Sequence, residues 1–343
     1  TQSRGLGDVY KRQTLAAREA LAQAGLGEAE IHDSRVGVSA GSTTGSTTAT
    51  EDFFRETLPN RSIEQLKSTH FFKIMNSSCA ANLAQALAIK GRVLAPSAAC
   101  ATGTVAIGLG AECIAAGKQD VMICGGADEM HPLNIGVFDT LEASSRAFND
   151  CPHSTPRPFD RRRDGIICGE GAGMVVLESL PHARARGAAI LGEILGFAFN
   201  SSPGAIANPA VEAIVLCLQT ALLEAGLKPA QIGYVNAHAT GTVQGDEAEC
   251  RAIEAVFGQQ TPVSSLKGHM GHTLGASGPI ELIVSLHMMK RGMLLPTLNL
   301  ETVSPDCAGI MHVTETLTRP VNVILKNSFA FGGINAALVC RKL

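Results

Sequence analysis

The sequence predicts an α/β fold built from two similar halves, and three observations carry the prediction. Helix-like and strand-like runs alternate along the 343 residues, the pattern of helices laid over mixed or parallel sheets. A helix, a glycine stop and a strand occur twice at one constant offset, as Ala20-Leu21…Ala24-Gly25-Leu26…Ala29…Ile31 and as Ala221-Leu222…Ala225-Gly226-Leu227…Ala230…Ile232. Polar clusters follow the strand-like runs, where α/β folds form their sites. The repeat divides the chain into halves at about 1–180 and 181–343.

Taken in order, 1–13 has no clear period, and 14–25 carries an apolar stripe that ends at glycine, a helix with its stop. Residues 35–41 form a buried strand that runs into the Ser/Thr/Gly loop 42–50. Residues 82–90 are helical and 92–98 form a strand, and after Cys100 a helix of small residues runs to about 116. Strands at 120–126 and 174–178 flank 129–169, a long irregular stretch with Pro132, Pro152, Pro156 and Pro158. Loops of that length inside a domain are usually functional. A helix at 209–226, a strand at 232–237 and a helix at 245–256 follow, the last with Asp246 and Glu247 placed to suit its dipole. A helix at 275–290 precedes strands at 321–328 and 336–340, which flank a glycine turn.

Bulk properties exclude several classes. A net charge of −3 gives no reason to expect nucleic acid or a membrane surface. No apolar run reaches the roughly 18 residues of a membrane span, and no charged-then-apolar leader opens the chain. The ten cysteines are scattered without a C-x-x-C pair. That usage suits a reducing cytoplasm better than a disulfide framework or a zinc ribbon.

Four clusters carry chemistry. Cys100 lies between a strand and a helix, where backbone N–H groups and the helix dipole favour thiolate. A single cysteine is more often a small buried hydrophobe, so the other clusters decide. They are Asn236-Ala237-His238-Ala239-Thr240-Gly241-Thr242 with Gly245-Asp246, then Ser264-Ser265-Leu266-Lys267-Gly268-His269-Met270-Gly271-His272, then Asn327-Ser328-Phe329-Ala330-Phe331-Gly332-Gly333. A histidine at a strand end also serves as a hydrogen-bonded structural residue. His269 and His272 have metal-ligand spacing, but no nearby Cys, Asp or Glu completes a set, and no metal is expected.

Together these segments, with Ser97-Ala98-Ala99-Cys100, Arg157-Pro158-Phe159-Asp160, Arg163-Asp164-Gly165 and Gly169-Glu170-Gly171-Ala172-Gly173, resemble the β-ketoacyl-acyl-carrier-protein synthases, elongating condensing enzymes of the thiolase superfamily. The resemblance runs from about residue 15 to the C-terminus. It implies a thiolase-like fold of two duplicated βαβαβ halves forming a layered α/β/α/β/α core. It also implies decarboxylative Claisen condensation, with Cys100 as acyl nucleophile and His238 and His272 as donors to the malonyl thioester oxygen. Backbone N–H groups of Cys100 and Phe331 would form the oxyanion hole, with Phe331 gating the acyl pocket. Lys267 and Glu281 would form a charged pair supporting the His272 loop, although a plain ion pair is an equal reading. Thr240 and Thr242 would hold the phosphopantetheine arm. No cofactor of its own is implied, because phosphopantetheine arrives on the acyl carrier protein. Arg161, Arg162, Arg163, Arg184 and Arg186 are candidates for docking that acidic partner, and most would otherwise be a solvated surface. A homodimer is implied, with 92–98 near the two-fold axis.

The chain departs from the family's usual motifs at Ala239 and Gly241, at Met270, at Ala330 and Ile334, and in the short loop 200–209. Acyl length and pathway, whether fatty-acid or polyketide and aryl-polyene synthesis, are therefore left open. The family's opening strand has no counterpart here, and residues 7–13 look like adapter sequence, so a partial copy of a longer protein is expected. That strand is expected in the middle of the first sheet, where its loss would exceed a typical net stability of about 5–15 kcal/mol. The alternatives are an inactive fragment, a non-catalytic partner resembling chain-length factors (which lack the nucleophile), a CoA thiolase (which has cysteine where this chain has a histidine), and a metal-binding protein using His269 and His272.

Overall fold

The computed structural model of the chain describes residues 9–59, 61, 62, 64, 68–203 and 209–343. Two compact units are present. Unit 1 comprises Thr1–Gly136, Glu170–Ala189 and Leu274–Pro279, and unit 2 comprises Val137–Gly169, Ile190–Thr273 and Ile280–Leu343.

Unit 1 holds strands β1 (Val36–Gly41), β2 (Val93–Leu94), β3 (Val121–Asp128) and β4 (Gly171–Glu178). They lie in the order β2-β1-β3-β4. β1 runs parallel to β2 and β3, and β4 is antiparallel to β3. Every residue of β1 and β3 is buried. Their apolar and small-residue runs are those of strands covered on both faces, as parallel sheets are. Leu21, Val38, Leu83 and Ile123 belong to one core cluster, which joins the helices Val9–Ala24 and Ser78–Ala86 to the sheet.

Unit 2 holds β5 (Glu193–Ser201), β6 (Tyr234–Asn236), β7 (Pro262–Ser264), β8 (Met293–Leu294), β9 (Met311–His312), β10 (Leu317–Thr318), β11 (Val323–Ala330) and β12 (Ile334–Arg341). Its main sheet has the order β5-β12-β11-β6-β7-β9, and β8 pairs with β10 separately. β6 is parallel to β7 and β11, while β12 is antiparallel to both β11 and β5. Ile214, Leu218, Val235, Ile253 and Leu325 pack in one cluster, which brings the helices Val211–Glu224 and Val243–Phe257 onto this sheet.

The repeat is a repeat of topology. β2-β1-β3-β4 of unit 1 and β7-β6-β11-β12 of unit 2 share order and direction. The helix Val9–Ala24 leads to β1 as Val211–Glu224 leads to β6. In unit 2 the strand that precedes the repeated helix is β5, and among the described residues β5 pairs only with β12, at the sheet edge. The expectation of a central opening strand is thereby corrected: its topological equivalent has hydrogen bonds on one side only.

Other expectations change as well. The first helix starts at Val9, earlier than the expected residue 14, and Val9, Tyr10 and Gln13 are buried in unit 1; 1–8 lies outside the described residues. The strand expected at 92–98 is only Val93–Leu94. The stretch 129–169 contains a helix, Pro132–Thr140. In the short loop, 204–208 lies outside the described residues, and Asn200 and Ser201 belong to β5. Ala330, where the family has glycine, closes β11 in strand conformation, so its Cβ meets no backbone restriction.

Glycine is required where the helix Thr102–Ala115 meets the segment Leu274–Pro279: a Cβ on Gly103 would lie 2.4 Å from Gly275 O and 2.4 Å from the Pro279 ring. Gly103→Ala should therefore lose about 1–3 kcal/mol by overpacking. Gly136→Ala, in the helix Pro132–Thr140 with nothing within 4 Å of the added methyl, should be neutral or gain up to about 1 kcal/mol of helix propensity. Thermal melts of the two variants check the contrast; equal Tm values for both would contradict it.

Candidate active site

Cys100 sits in unit 1, 6% exposed, in the single helical turn Ala99–Ala101 before the helix Thr102–Ala115. The residue before it, Ala99, has φ +45°. A non-glycine residue in the left-handed region stores about 1–2 kcal/mol of steric strain, and such strain concentrates at functional turns. Local hydrogen bonds hold the corner: Ala101 N donates to Ala98 O at 3.0 Å and Ala98 N to Thr102 Oγ1 at 2.8 Å. Asp128, at the end of β3, braces the surrounding loops, accepting from Ser42 Oγ at 2.6 Å and from Gly275 N at 2.7 Å. Burial pushes its carboxyl up to about 6.

Unit 2 brings two histidines together. The rings of His238 and His272 are 5.2 Å apart and nearly perpendicular, at 87°. His238 follows β6 by two residues, and its backbone N donates to Glu249 Oε1 at 2.8 Å while Ala239 N donates to Glu249 Oε2 at 2.7 Å. Asn327 Nδ2 donates to the same carboxylate at 2.8 Å. His272 is fixed through its backbone, its N donating to Ile167 O at 2.7 Å and its O accepting from Gly169 N at 2.9 Å. Gly271, at φ +73°, supplies the reversal that L side chains resist, between the short helix Lys267–Met270 and His272. Ser265 links the two segments: its Oγ donates to Ala239 O at 2.7 Å and accepts from Lys267 N at 3.2 Å.

A buried charge cluster stands with the pair. Lys267 Nζ lies 2.6 Å from Glu281 Oε1 and Lys326 Nζ lies 2.8 Å from Glu281 Oε2, with all three side chains fully buried. Lys326 Nζ also donates to Asn327 O, and to Ser328 Oγ at 3.3 Å. Both imidazoles are held well below the ordinary histidine range, first by desolvation and then by the Lys267 and Lys326 charges. Both rings are therefore neutral at physiological pH, each with one N–H to donate.

The remaining residues fall into place by segment. Thr240 is buried and Thr242 partly exposed, with Thr240 Oγ1 donating to Thr242 Oγ1 at 3.2 Å. Asp246 accepts from Gly241 N at 3.1 Å and from Phe159 N at 2.8 Å, so its part is to hold the turn. Phe331 caps β11 and packs on Phe138 with ring centres 5.7 Å apart. His269 turns away to Pro296 O at 2.9 Å and does not join His272 as a ligand. The basic candidates are largely committed: Arg163 is buried against Asp306 at 2.9 Å, Arg162 pairs with Glu301 at 2.6 Å, and Arg186 donates to Glu178 at 2.8 Å. Sequence reading missed Lys326 and Glu249. A lysine directly after the apolar run Val323-Ile324-Leu325, within the same strand, is the signal for the first. Acids three residues apart on a helix, Asp246 and Glu249, are the signal for the second.

Comparison with known proteins identifies the family. The family described as "Beta-ketoacyl synthase, N-terminal domain" matches residues 9–183, and "Beta-ketoacyl synthase, C-terminal domain" matches 191–301. The chain is 39% identical to 3-oxoacyl-[acyl-carrier-protein] synthase 1 of Escherichia coli (strain K12), over 96% of this chain and 81% of that protein. A crystal structure of a β-ketoacyl synthase from Burkholderia phymatum STM815 superposes with a TM-score of 0.95 at 43% identity, covering 98% of this chain and 82% of the other. A type II polyketide acyl-carrier protein in complex with its ketosynthase is a further match, with a TM-score of 0.91 at 29% identity over 98% of this chain and 86% of the other. Family models over both halves, a 39% identical relative and the superposed synthase structure agree, and the chain belongs to the β-ketoacyl synthase family.

Proposed function

We propose that the protein is a 3-oxoacyl-acyl-carrier-protein synthase that joins an acyl group to a malonyl unit with loss of CO₂. The observation that carries the reading is the His238–His272 pair, two neutral rings 5.2 Å apart and backed by buried cations. Decarboxylation of a malonyl thioester places negative charge on one carbonyl oxygen. Two N–H donors stabilise that oxygen without protonating the carbanion. In the first half-reaction Cys100 Sγ attacks the acyl thioester, forming a new C–S bond and releasing the carrier's phosphopantetheine thiol. This covalent step splits one difficult transfer in two. In the second, the malonyl C–C bond breaks, CO₂ leaves, and the enolate held by His238 and His272 attacks the acyl-Cys100 carbonyl. The new C–C bond forms, the C–S bond breaks, and Cys100 is regenerated for the next acyl group. The backbone N–H groups of Cys100 and Phe331 are assigned to the oxyanion of this step, and Phe331 to the gate of the acyl pocket. Thr240 and Thr242 are assigned to the phosphopantetheine arm. Lys267 and Glu281 support the histidine pair.

Acyl carrier protein is the assigned partner, supported by the carrier-bound ketosynthase among the structural matches. Of the basic candidates, Arg161 and Arg184 are exposed and have no ion pair among the described residues, which favours them as docking charges. A homodimer is assigned through β2, which lies at a sheet edge with Val93 46% exposed. No helix among the described residues is long and apolar enough to cross a membrane, and the reducing cytoplasm is the assigned compartment.

Mass spectrometry after incubation with acyl-carrier protein tests the nucleophile. Wild-type protein should gain one acyl mass on the peptide containing Cys100, and Cys100→Ala should gain none while still releasing CO₂ from malonyl-carrier protein. Acyl transfer at wild-type rate in Cys100→Ala would refute the assignment.

His238→Ala and His272→Ala should each lower decarboxylation by about 10²–10³-fold, the loss typical of one oxyanion donor. Both should leave acylation of Cys100 within a few-fold of wild type. Half-reaction kinetics with radiolabelled malonyl-carrier protein check this, and an undiminished rate in either variant would remove that histidine from the site.

The pH dependence has a defined sign. The folded values for both histidines lie below the unfolded value of about 6.5, so below that pH the unfolded chain binds more protons than the folded one. Stability should fall as pH drops through 6.5, and decarboxylation should hold level through 6.5 and decline only further down. A rate already halved at pH 6.5 would contradict the neutral pair.

A further inference from the structure

The mechanism above uses Lys267 and Glu281 but has no task for Lys326, although Lys326 is fully buried in the same cluster. An ammonium at that depth is expensive unless paired and hydrogen-bonded. Its partner Glu281 already has a cation in Lys267 at 2.6 Å, so ion pairing alone does not call for a second one.

Its position on β11 suggests the task. Lys326 and Asn327 are consecutive strand residues, and their side chains leave opposite faces of the sheet. Lys326 reaches Glu281, on the helix Ser277–Arg291, at 2.8 Å. Asn327 reaches Glu249, on the helix Val243–Phe257, at 2.8 Å. Glu281 also holds Lys267, the first residue of the short helix that leads to His272. Glu249 accepts the backbone N–H groups of His238 and Ala239. One dipeptide of β11 therefore ties the His272 segment on one face and the His238 segment on the other. The charged groups about the two rings are Lys267, Lys326, Glu281 and Glu249, with Asp246 on the same helix as Glu249 and Cys168 bridged to His272 through the backbone.

We propose that Lys326 is a positioning residue for the malonyl half-reaction, supplying the second of two positive charges behind His238 and His272 and anchoring the β11 tie to Glu281. The inference rests on the proposed function for the step it serves. Two lysines against Glu281 leave a net positive charge on that face, which disfavours protonating either ring. With Lys326 removed, Lys267 and Glu281 remain a one-to-one pair, so a folded variant is expected.

The test uses Lys326→Met, which keeps the stem length, and Lys326→Gln, which keeps a hydrogen-bond donor should the first fail to fold. In the ¹⁵N-labelled 343-residue protein, His238 and His272 ring signals assigned by single substitutions are followed over about pH 4.5–8. Both titrations should rise by about one unit in either variant, as on loss of a nearby like charge. The acid limb of malonyl-carrier protein decarboxylation should move up with them, and acylation of Cys100 should stay within twofold. Ring titrations that stay in place in a variant with wild-type Tm would overturn the proposal. Equal loss of both half-reactions with a lowered Tm and unmoved titrations would overturn it too, since Lys326 would then serve only the core. Ring titration does not depend on turnover. If wild-type protein fails to decarboxylate malonyl-carrier protein, the proposed function falls, and the ring data still decide whether Lys326 charges the pair.

Discussion

Glu281 is fully buried and pairs with two lysines that are fully buried themselves. Isolating any one of these charges from water would cost several kcal/mol, and removing one partner of a buried pair typically destabilises by about 3–5 kcal/mol. The cluster therefore exists only in one geometry, with β11, the helix Ser277–Arg291 and the short helix Lys267–Met270 fixed against one another. The placement of the two histidine segments follows from that constraint. His272 is five residues beyond Lys267 and is clamped by Ile167 and Gly169, while Ser265 ties Lys267 to the turn after His238. Burial first, and these positive charges second, hold the imidazoles below the ordinary histidine range, so one arrangement sets both where the rings are and which form they take.

The duplicated topology places chemistry at equivalent points. In unit 1 the chain leaves β2, makes the strained turn at Ala99 and Cys100, and enters the helix Thr102–Ala115. In unit 2 it leaves β7, passes Lys267 and His272, and enters the helix Ser277–Arg291. β2 and β7 hold the same place in their sheets, each parallel to the neighbour nearer the centre. Cys100 and His272 thus occupy corresponding strand-to-helix corners of a repeated unit. His238 follows β6, whose counterpart β1 leads instead into the Ser42–Thr43 loop that Asp128 braces. One copy of the motif carries the thiol and the other the imidazoles.

Much of this was legible in the residues, for identifiable reasons. Cys100, His238, His272 and the glycine turn at Phe331 lie in short contiguous segments with side chains of distinctive chemistry, so their order and spacing are visible locally. The helix-glycine-strand repeat was visible because each copy lies within about ten residues and helix stops have a known glycine signature. Element ends were less so. The stretch 92–98 has the composition of a strand, yet only Val93 and Leu94 pair, because the chain must then turn into Ala99–Ala101. The helix beginning at Val9 was hidden by a first turn whose apolar residues face a core that lies far along the chain, beside Cys79 and Ala127.

Local sequence by itself determined which chemistry is available: a thiol before a small-residue helix, two histidines in polar turns, a repeated α/β pattern and a bulk composition without a basic or membrane-seeking character. Tertiary structure decided how that chemistry is held. It placed the repeat's first strand at a sheet edge, in the position β5 takes beside β12, where a linear reading had put it in the middle. It also committed Arg163 to the interior and gave Glu249 the backbone of His238. It set Lys326 beside Glu281, 45 residues away in sequence. Periodicity and capping report on neighbours within a turn or a strand; a charge pair between a strand and a helix 45 residues away depends on how the elements pack, which no local window contains.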